Sequence, residues 1–331
     1  MKQFLQRYWF LVFLAMVLFT GVCFPLGIRW GTHWVDKRIA VAVVLFLMSF
    51  SLDSKRLWEA VRQPAPALLA IIINIIGIPL LAWMCVKLHA RMAILEDLSL
   101  GMLIAASVPC TLASAAVWTR KAAGDDGVAL VVTVSTNLGC FVTTPLCLLW
   151  TTSQVVELTP GPMITKLSLV VLLPTAFGQL LRMHHPLASF ATRMKVPMGA
   201  IGQGLILFVI LIGAGEVGMR LVALEGDFSW GQFLVIMVNC IFIHLAALVT
   251  GLMLGRHFGF SRRQQSAVAF ASSQKTLPVG VYIATEVFGG LYPMAILPMI
   301  TYHVAQLVLD TFIAERFAAQ TSRDSKLLME T

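Results

Sequence analysis

The chain has 331 residues, of which 58% are hydrophobic and only 12% charged, and its mean hydropathy is +0.85. Soluble domains carry about 25% charged residues, so composition excludes a soluble enzyme and indicates a polytopic membrane protein whose surroundings are a lipid bilayer. The formal net charge of +8 is explained by topology, as shown below, and is not a nucleic-acid-binding signal.

A spanning helix needs roughly 20 apolar residues. On that basis ten spans are expected, at about 8–28, 38–52, 66–88, 97–118, 127–151, 163–182, 199–220, 230–255, 264–285 and 291–314. The first run follows a short basic leader (Lys2, Arg7). It is too long for a signal-peptide core and has no small-residue cleavage site, so it reads as a membrane helix. The second span is short, with an amphipathic extension through Arg62. Gly202, Gly204, Gly213 and Gly215 suggest close packing of the seventh. All six cysteines lie in apolar segments without paired spacing, which argues against disulfide or zinc frameworks. Trp9, Trp30, Trp34, Trp118, Trp150 and Trp230 fall near span ends, as interfacial anchors do.

The basic residues orient the chain. With the N-terminus inside, 16 of the 24 lysines and arginines fall in inside segments, among them Lys55, Arg56, Arg62, Arg120 and Lys121. Seven fall outside: Arg29, Lys37, Arg38, Lys87, Arg91, Lys166 and Arg220. The bias places both termini in the cytoplasm. The whole chain, 1–331, then forms one membrane domain of the cell membrane. Its repeats, about 8–151 and 163–314, are two five-helix halves of inverted topology, and 315–331 is a mobile cytoplasmic tail.

The residue left over is Lys275, in the polar stretch Ser272-Ser273-Gln274-Lys275-Thr276-Leu277-Pro278 inside the ninth span. Broken backbone at membrane depth survives only where protein or a water-filled cavity surrounds it. A similar interruption, Ser107-Val108-Pro109-Cys110-Thr111-Leu112-Ala113-Ser114, lies in the fourth span. Adding 165 to Ser107, Thr111 and Leu112 lands on Ser272, Thr276 and Leu277, and carries Asn74 to Asn239. Interrupted segments at corresponding positions of two halves point to a transporter site.

An ammonium at the bilayer centre costs ~2.5–3.5 kcal/mol on insertion scales. Lys275 therefore faces a cavity, stands in for a cation or snorkels to an interface. Two acids inside other expected spans, Glu216 in the seventh and Asp310 late in the tenth, are the candidates to pair with it. The hydroxyls and amides Ser114, Ser135, Thr136, Asn137, Ser272, Ser273, Gln274 and Thr276 offer neutral oxygens for a sodium ion or hydrogen bonds to a substrate, and otherwise join helices. His303 and Gln306 lie one turn apart in the tenth span; His303 either titrates or hydrogen-bonds a neighbouring helix. Metalloprotease, nucleophile-elbow and P-loop signatures are absent from the sequence, so no enzyme and no organic cofactor is expected.

Three stretches, Ser273-Gln274-Lys275-Thr276-Leu277, Thr119-Arg120-Lys121-Ala122-Ala123-Gly124 and Tyr302-His303-Val304-Ala305-Gln306, resemble the bile acid:sodium symporter-like (SBF-like) family. The subgroup is the one whose ninth span reads serine, any residue, lysine, serine or threonine, leucine. The resemblance runs from Trp9 to about Arg316. It implies ten helices, with broken helices 4 and 9 crossing in a core domain beside a substrate cavity. In sodium-coupled members a serine-asparagine pair, helix-5 hydroxyls and a glutamate with a glutamine hold two sodium ions. Here the pair reads Ser114-Ala115, the hydroxyl is Ser135 or Thr136, and the glutamate position holds a serine or Lys275. Ser114, Ser135 and Gln274 remain as the implied sodium oxygens. The expected function is secondary active transport of a small organic anion by alternating access, with sodium as the family's coupling ion. The alternative from another class is a non-transporting membrane regulator or scaffold.

Overall fold

The computed structural model describes residues 2–32, 36–52, 64–88, 94–112, 114–152, 160–224 and 228–330. Trp34, Lys55, Arg56, Arg62, Arg91, Ala113 and the extension expected after the second span lie outside them. Among the described residues there are helices and turns and no strand. The helices are α1 Lys2–Cys23, α2 Pro25–Thr32, α3 Lys37–Phe50, α4 Pro64–Leu88 and α5 Glu96–Ser107. Next come α6 Ser114–Lys121, α7 Asp126–Thr152, α8 Pro160–Arg182, α9 His185–Arg193 and α10 Lys195–Ala223. Last are α11 Trp230–His257, α12 Arg262–Ser273, α13 Leu277–Tyr282 and α14 Ile296–Glu330.

Six of these helices are long and apolar enough to cross a membrane, or seven if the bent pair α1/α2 counts as one span. The first expected span thus differs from a straight 8–28 helix: the chain turns by 100° at Phe24. Pro25 has no N–H to continue the ladder and disfavours helical backbone in the residue before it. The last helix differs too. It runs to Glu330, so the segment expected as a tail continues the helix.

Two features shape the centre. First, residues 100–112 and 265–285 are buried without interruption, and they contain the second expected break and most of the first. A helix buried on every side must be enclosed by others; α12, buried from Gln265 to Ser273 although more than half its residues are polar, packs against α4, α6, α7 and α11. Gly251 of α11 lets this happen, because a Cβ there would come within 2.7 Å of Ser272 Oγ and 3.1 Å of Ala269 Cα. In α10, Gly213 and Gly215 sit against Ile296 and Ile28, whereas Gly202 and Gly204 face open space, so only half of that glycine set packs closely.

Second, α4 contains a π-turn, Ile73–Gly77, in which Ile78 N–H bonds Ile73 C=O. Continuing that register would pair Asn74 C=O with residue 79. Residue 79 is proline and has no N–H, so the Asn74 carbonyl is left free to bond outside its own helix.

Candidate functional site

The two breaks meet each other. Pro109 cannot continue α5, and Val108 adopts extended backbone (ψ 158). After α12, Gln274 is extended as well (ψ 143). Thr276 N–H donates to Pro109 C=O at 2.9 Å, a direct backbone link between the interruptions. Buried backbone groups need partners, and neighbouring helices supply them.

At the first break, Ser107 C=O accepts from Thr144 Oγ1 (2.9 Å), Cys110 C=O from Asn137 Nδ2 (2.7 Å) and Thr111 C=O from Thr133 Oγ1 (3.2 Å). Cys110 N–H donates to Thr136 Oγ1 at 3.2 Å. At the second break, Asn74 Nδ2 reaches from α4 to Ser272 C=O (2.9 Å) and Gln274 C=O (3.0 Å). Ser273 C=O accepts from Tyr302 Oη at 2.8 Å. The Gln306 amide grips Lys275 from both sides, its Oε1 accepting from Lys275 N–H (2.9 Å) and its Nε2 donating to Lys275 C=O (3.0 Å).

Lys275 itself is fully buried. Its ammonium donates to Asn74 C=O at 2.7 Å, Val108 C=O at 2.8 Å and Asn74 Oδ1 at 3.2 Å, using all three of its donors. These three oxygens are neutral, and among the described residues no carboxylate lies within ion-pair distance of it. The two acids the sequence suggested are engaged elsewhere. Glu216 meets Lys37 at 2.8 Å, and Asp310 holds Gln274 Nε2 at 2.5 Å and His244 Nε2 at 2.9 Å.

A cavity of about 500 Å³ lies beside the crossing, walled by Trp9, Phe10, Trp118, Leu307 and Phe312 and carrying Thr111, Ser114, Lys121, Gln203, His303 and Thr311 as polar groups. Lys275 does not line it. Two side-chain chains connect wall and crossing. Ser114 Oγ donates to Gln274 Oε1 at 2.8 Å, and Gln274 continues to Asp310 and His244. His303 Nδ1 lies 2.8 Å from Gln306 Nε2, which is a donor, so Nδ1 accepts and Nε2 carries the ring proton.

Of the residues expected at the site, Ser114, Thr136, Asn137, Ser273, Gln274, Lys275, Thr276, His303 and Gln306 gather at the crossing or the cavity wall. Ser272 is buried behind it, its hydroxyl bonding Ala269 C=O (3.2 Å) in its own helix. Ser135 is exposed on the outside of α7, apart from the rest. Of the three implied sodium oxygens, Ser114 and Gln274 therefore meet each other at 2.8 Å, and Ser135 lies apart from them.

Asn74, Tyr302 and His244 belong to the site and were not expected there, and Asp310, suggested as a partner for Lys275, serves Gln274 and His244 instead. The signal for His244 was simply a histidine within an apolar run. The Thr119–Gly124 stretch acts locally, closing the end of α6: Gly124 N–H bonds Thr119 C=O (2.8 Å) and Ala123 sits at φ 56.

Two interrupted helices crossing in the buried centre of an apolar bundle, with a cavity against the crossing, define a multi-pass membrane transporter. A small-molecule substrate and a bilayer follow from that class. The chain belongs to the SBF-like CPA transporter family, which it matches over residues 8–319. It is 27% identical over 301 residues to an uncharacterized protein of Pseudomonas aeruginosa, covering 90% of this chain and 88% of that one. It is 24% identical over 329 residues to Sodium/bile acid cotransporter 7 of Danio rerio (98% and 97% covered). With Sodium/bile acid cotransporter 7-A of Xenopus laevis it shares 23% over 317 residues (93% and 91%).

Proposed function

We propose that this protein moves a small organic anion across the cell membrane by alternating access, and that the Lys275 ammonium does permanently what a coupling cation does transiently in sodium-driven relatives. The observation that carries this is the cradle of Asn74 C=O, Asn74 Oδ1 and Val108 C=O at 2.7–3.2 Å around Lys275 Nζ. Neutral oxygens gathered from two elements around a positive centre are what a bound monovalent cation provides. The amine tethers α4, the first break and the second break together without needing an ion from solution. Transport is then independent of sodium.

An anionic substrate is favoured by the cavity's polar groups. Among its described lining residues are a lysine, a histidine, a glutamine and three hydroxyls, and no carboxylate. The apolar walls suit a compact hydrocarbon body.

The reading includes ten spans in two inverted five-helix repeats with both termini cytoplasmic. Support comes from Cys110 and Lys275, which are 165 residues apart. Each has its backbone N–H and C=O held by side chains of the span that follows, Cys110 by Thr136 and Asn137, Lys275 by Gln306.

The test is Lys275→Ala. A ligand that binds only the folded state stabilises it by RT ln(1 + [L]/Kd). The wild-type melting temperature in nanodiscs should not change when potassium is exchanged for sodium at equal ionic strength. The variant should melt lower and recover part of the loss with sodium or methylammonium, which refill the vacated cradle. A large sodium-specific shift in the wild type would refute the tethered cation.

A further inference from the structure

We propose that Lys37, Arg38, Glu216 and Glu286 form a latch that closes the non-cytoplasmic end of the substrate pathway, along the seam where α3 and α10 meet α13. This rests on the transport reading above and adds the route and its outer closure.

Each of the three elements carries a cavity residue at one end and a latch residue at the other. On α3, Met48 lines the cavity and Lys37 is at the opposite end, roughly 16 Å away at 1.5 Å per residue. On α10, Gln203 and Ile206 line it and Glu216 lies beyond. On the last pair of half-helices, Leu277 and Pro278 line it, and the π-turn Ile283–Val287 that follows α13 carries Glu286.

Between the two levels the seam is dry. Val41, Val44, Val209 and Val281 are at most 2% exposed, and the gap they share with Pro278 is too small for a water molecule. Above the valines, Lys37 Nζ sits 2.8 Å from Glu216 and 3.1 Å from Glu286, and Arg38 Nε lies 3.2 Å from Glu286. Lys37 and Glu286 side chains are each 15% exposed, so this is a network of close, partly dried charges rather than isolated surface pairs. Lys37 and Glu216 also line an outer vestibule of about 660 Å³, together with Arg29 and Arg220. In order, the seam holds cavity, valine plug, ionic latch and vestibule.

Chemistry favours a reversible closure at this place. Separating α3 and α10 from α13 exposes four charged groups to the vestibule, where water replaces the lost pairs. The same separation at the valine level would expose apolar surface unless a substrate filled the gap. The charged layer thus holds the pathway shut when empty, and the plug makes opening depend on cargo. Glu216 and Glu286 both contact Lys37 but come from elements 70 residues apart, so one lysine ties α10 and the π-turn to the start of α3.

The experiment measures labelling of Val281→Cys by a membrane-impermeant maleimide added outside intact cells, in a Cys23→Ser background because Cys23 is exposed. With the latch intact labelling is slow. Lys37→Met or Glu286→Gln should speed it by about tenfold, and Lys37→Arg, which keeps the charge, should leave it slow. If either neutral variant fails to fold, raising the salt concentration on the intact latch should speed labelling by screening the pairs. Unchanged labelling in folded Lys37→Met and Glu286→Gln, or at high salt, overturns the latch. Val117→Cys on the cavity wall serves as the second probe. If it is labelled from the cytoplasmic face while Val281→Cys is never reached, only the latch fails. If it is reached from neither face, the transport reading fails.

Discussion

At the scale of single residues, the centre is governed by where Lys275 finds its acceptors. A buried amine surrounded by carbonyls is held by geometry: three donors meet three oxygens, and each is a compact fit. Lys275→Arg keeps the charge but replaces a point ammonium with a planar fork of five donors. It should lower both transport and melting temperature, because two donors would be buried without acceptors. Asn74 is the other half of the cradle. It offers Lys275 its carbonyl and its Oδ1 while its Nδ2 holds Ser272 and Gln274 C=O. Asn74→Ala leaves those two carbonyls unpaired at about 1–3 kcal/mol each. A loss of at least about 2 kcal/mol is expected, read as a lower midpoint in a melting or denaturant titration of the purified protein. Lys275 was legible from sequence because an ammonium in an apolar run requires an explanation. Its target was not, because Asn74 lies 201 positions away and an asparagine in an apolar helix announces only that it bonds something.

At the scale of elements, proline and π-turn act together in α4. The π-turn moves the ladder by one residue, and Pro79 then removes the N–H that the Asn74 carbonyl would meet. Pro79→Ala restores that N–H, so the carbonyl has a local partner and is drawn away from Lys275. The second break then loses one of its ties. Amide hydrogen exchange over residues 274–277 should quicken in the variant, while exchange in α7, which holds the first break independently, stays as it was. Equal exchange in both proteins would mean that the carbonyl keeps its bond to Lys275. The prolines and the breaks were visible in the sequence, since interruptions in apolar runs stand out by residue type. The π-turns were not, because nothing in the composition of Ile73–Gly77 separates a five-residue register from a four-residue one. The 100° turn at Phe24 was missed for a related reason: an apolar run was read through Pro25 on hydropathy, although proline there argued for a boundary.

At the scale of the whole molecule, the cavity and the latch sit at opposite ends of the same helices, so the side each faces is set by topology. In the sequence that topology rests on the unequal share of lysines and arginines, and part of it lies in Lys55, Arg56, Arg62 and Arg91, outside the described residues. Lys121 lines the cavity, and Lys37 belongs to the latch. A positive-inside reading assigns Lys121 to the cytoplasm and Lys37 to the exterior, and under that proposed topology the cavity is inward-open and the latch external. Reporter fusions decide this directly. A reporter joined at Thr331 should be cytoplasmic, and one inserted between Thr152 and Pro160 should be external, because in the proposed ten-span arrangement an even number of spans separates the two ends and an odd number lies between the insertion and either end. Finding both reporters on one side would break the inverted arrangement of the halves. The equivalence of Cys110 and Lys275 would then be a coincidence of local bonding. Finding them on opposite sides but exchanged would preserve the repeat and turn the molecule over, so that the cavity opens outward and the charged latch guards the cytoplasmic end.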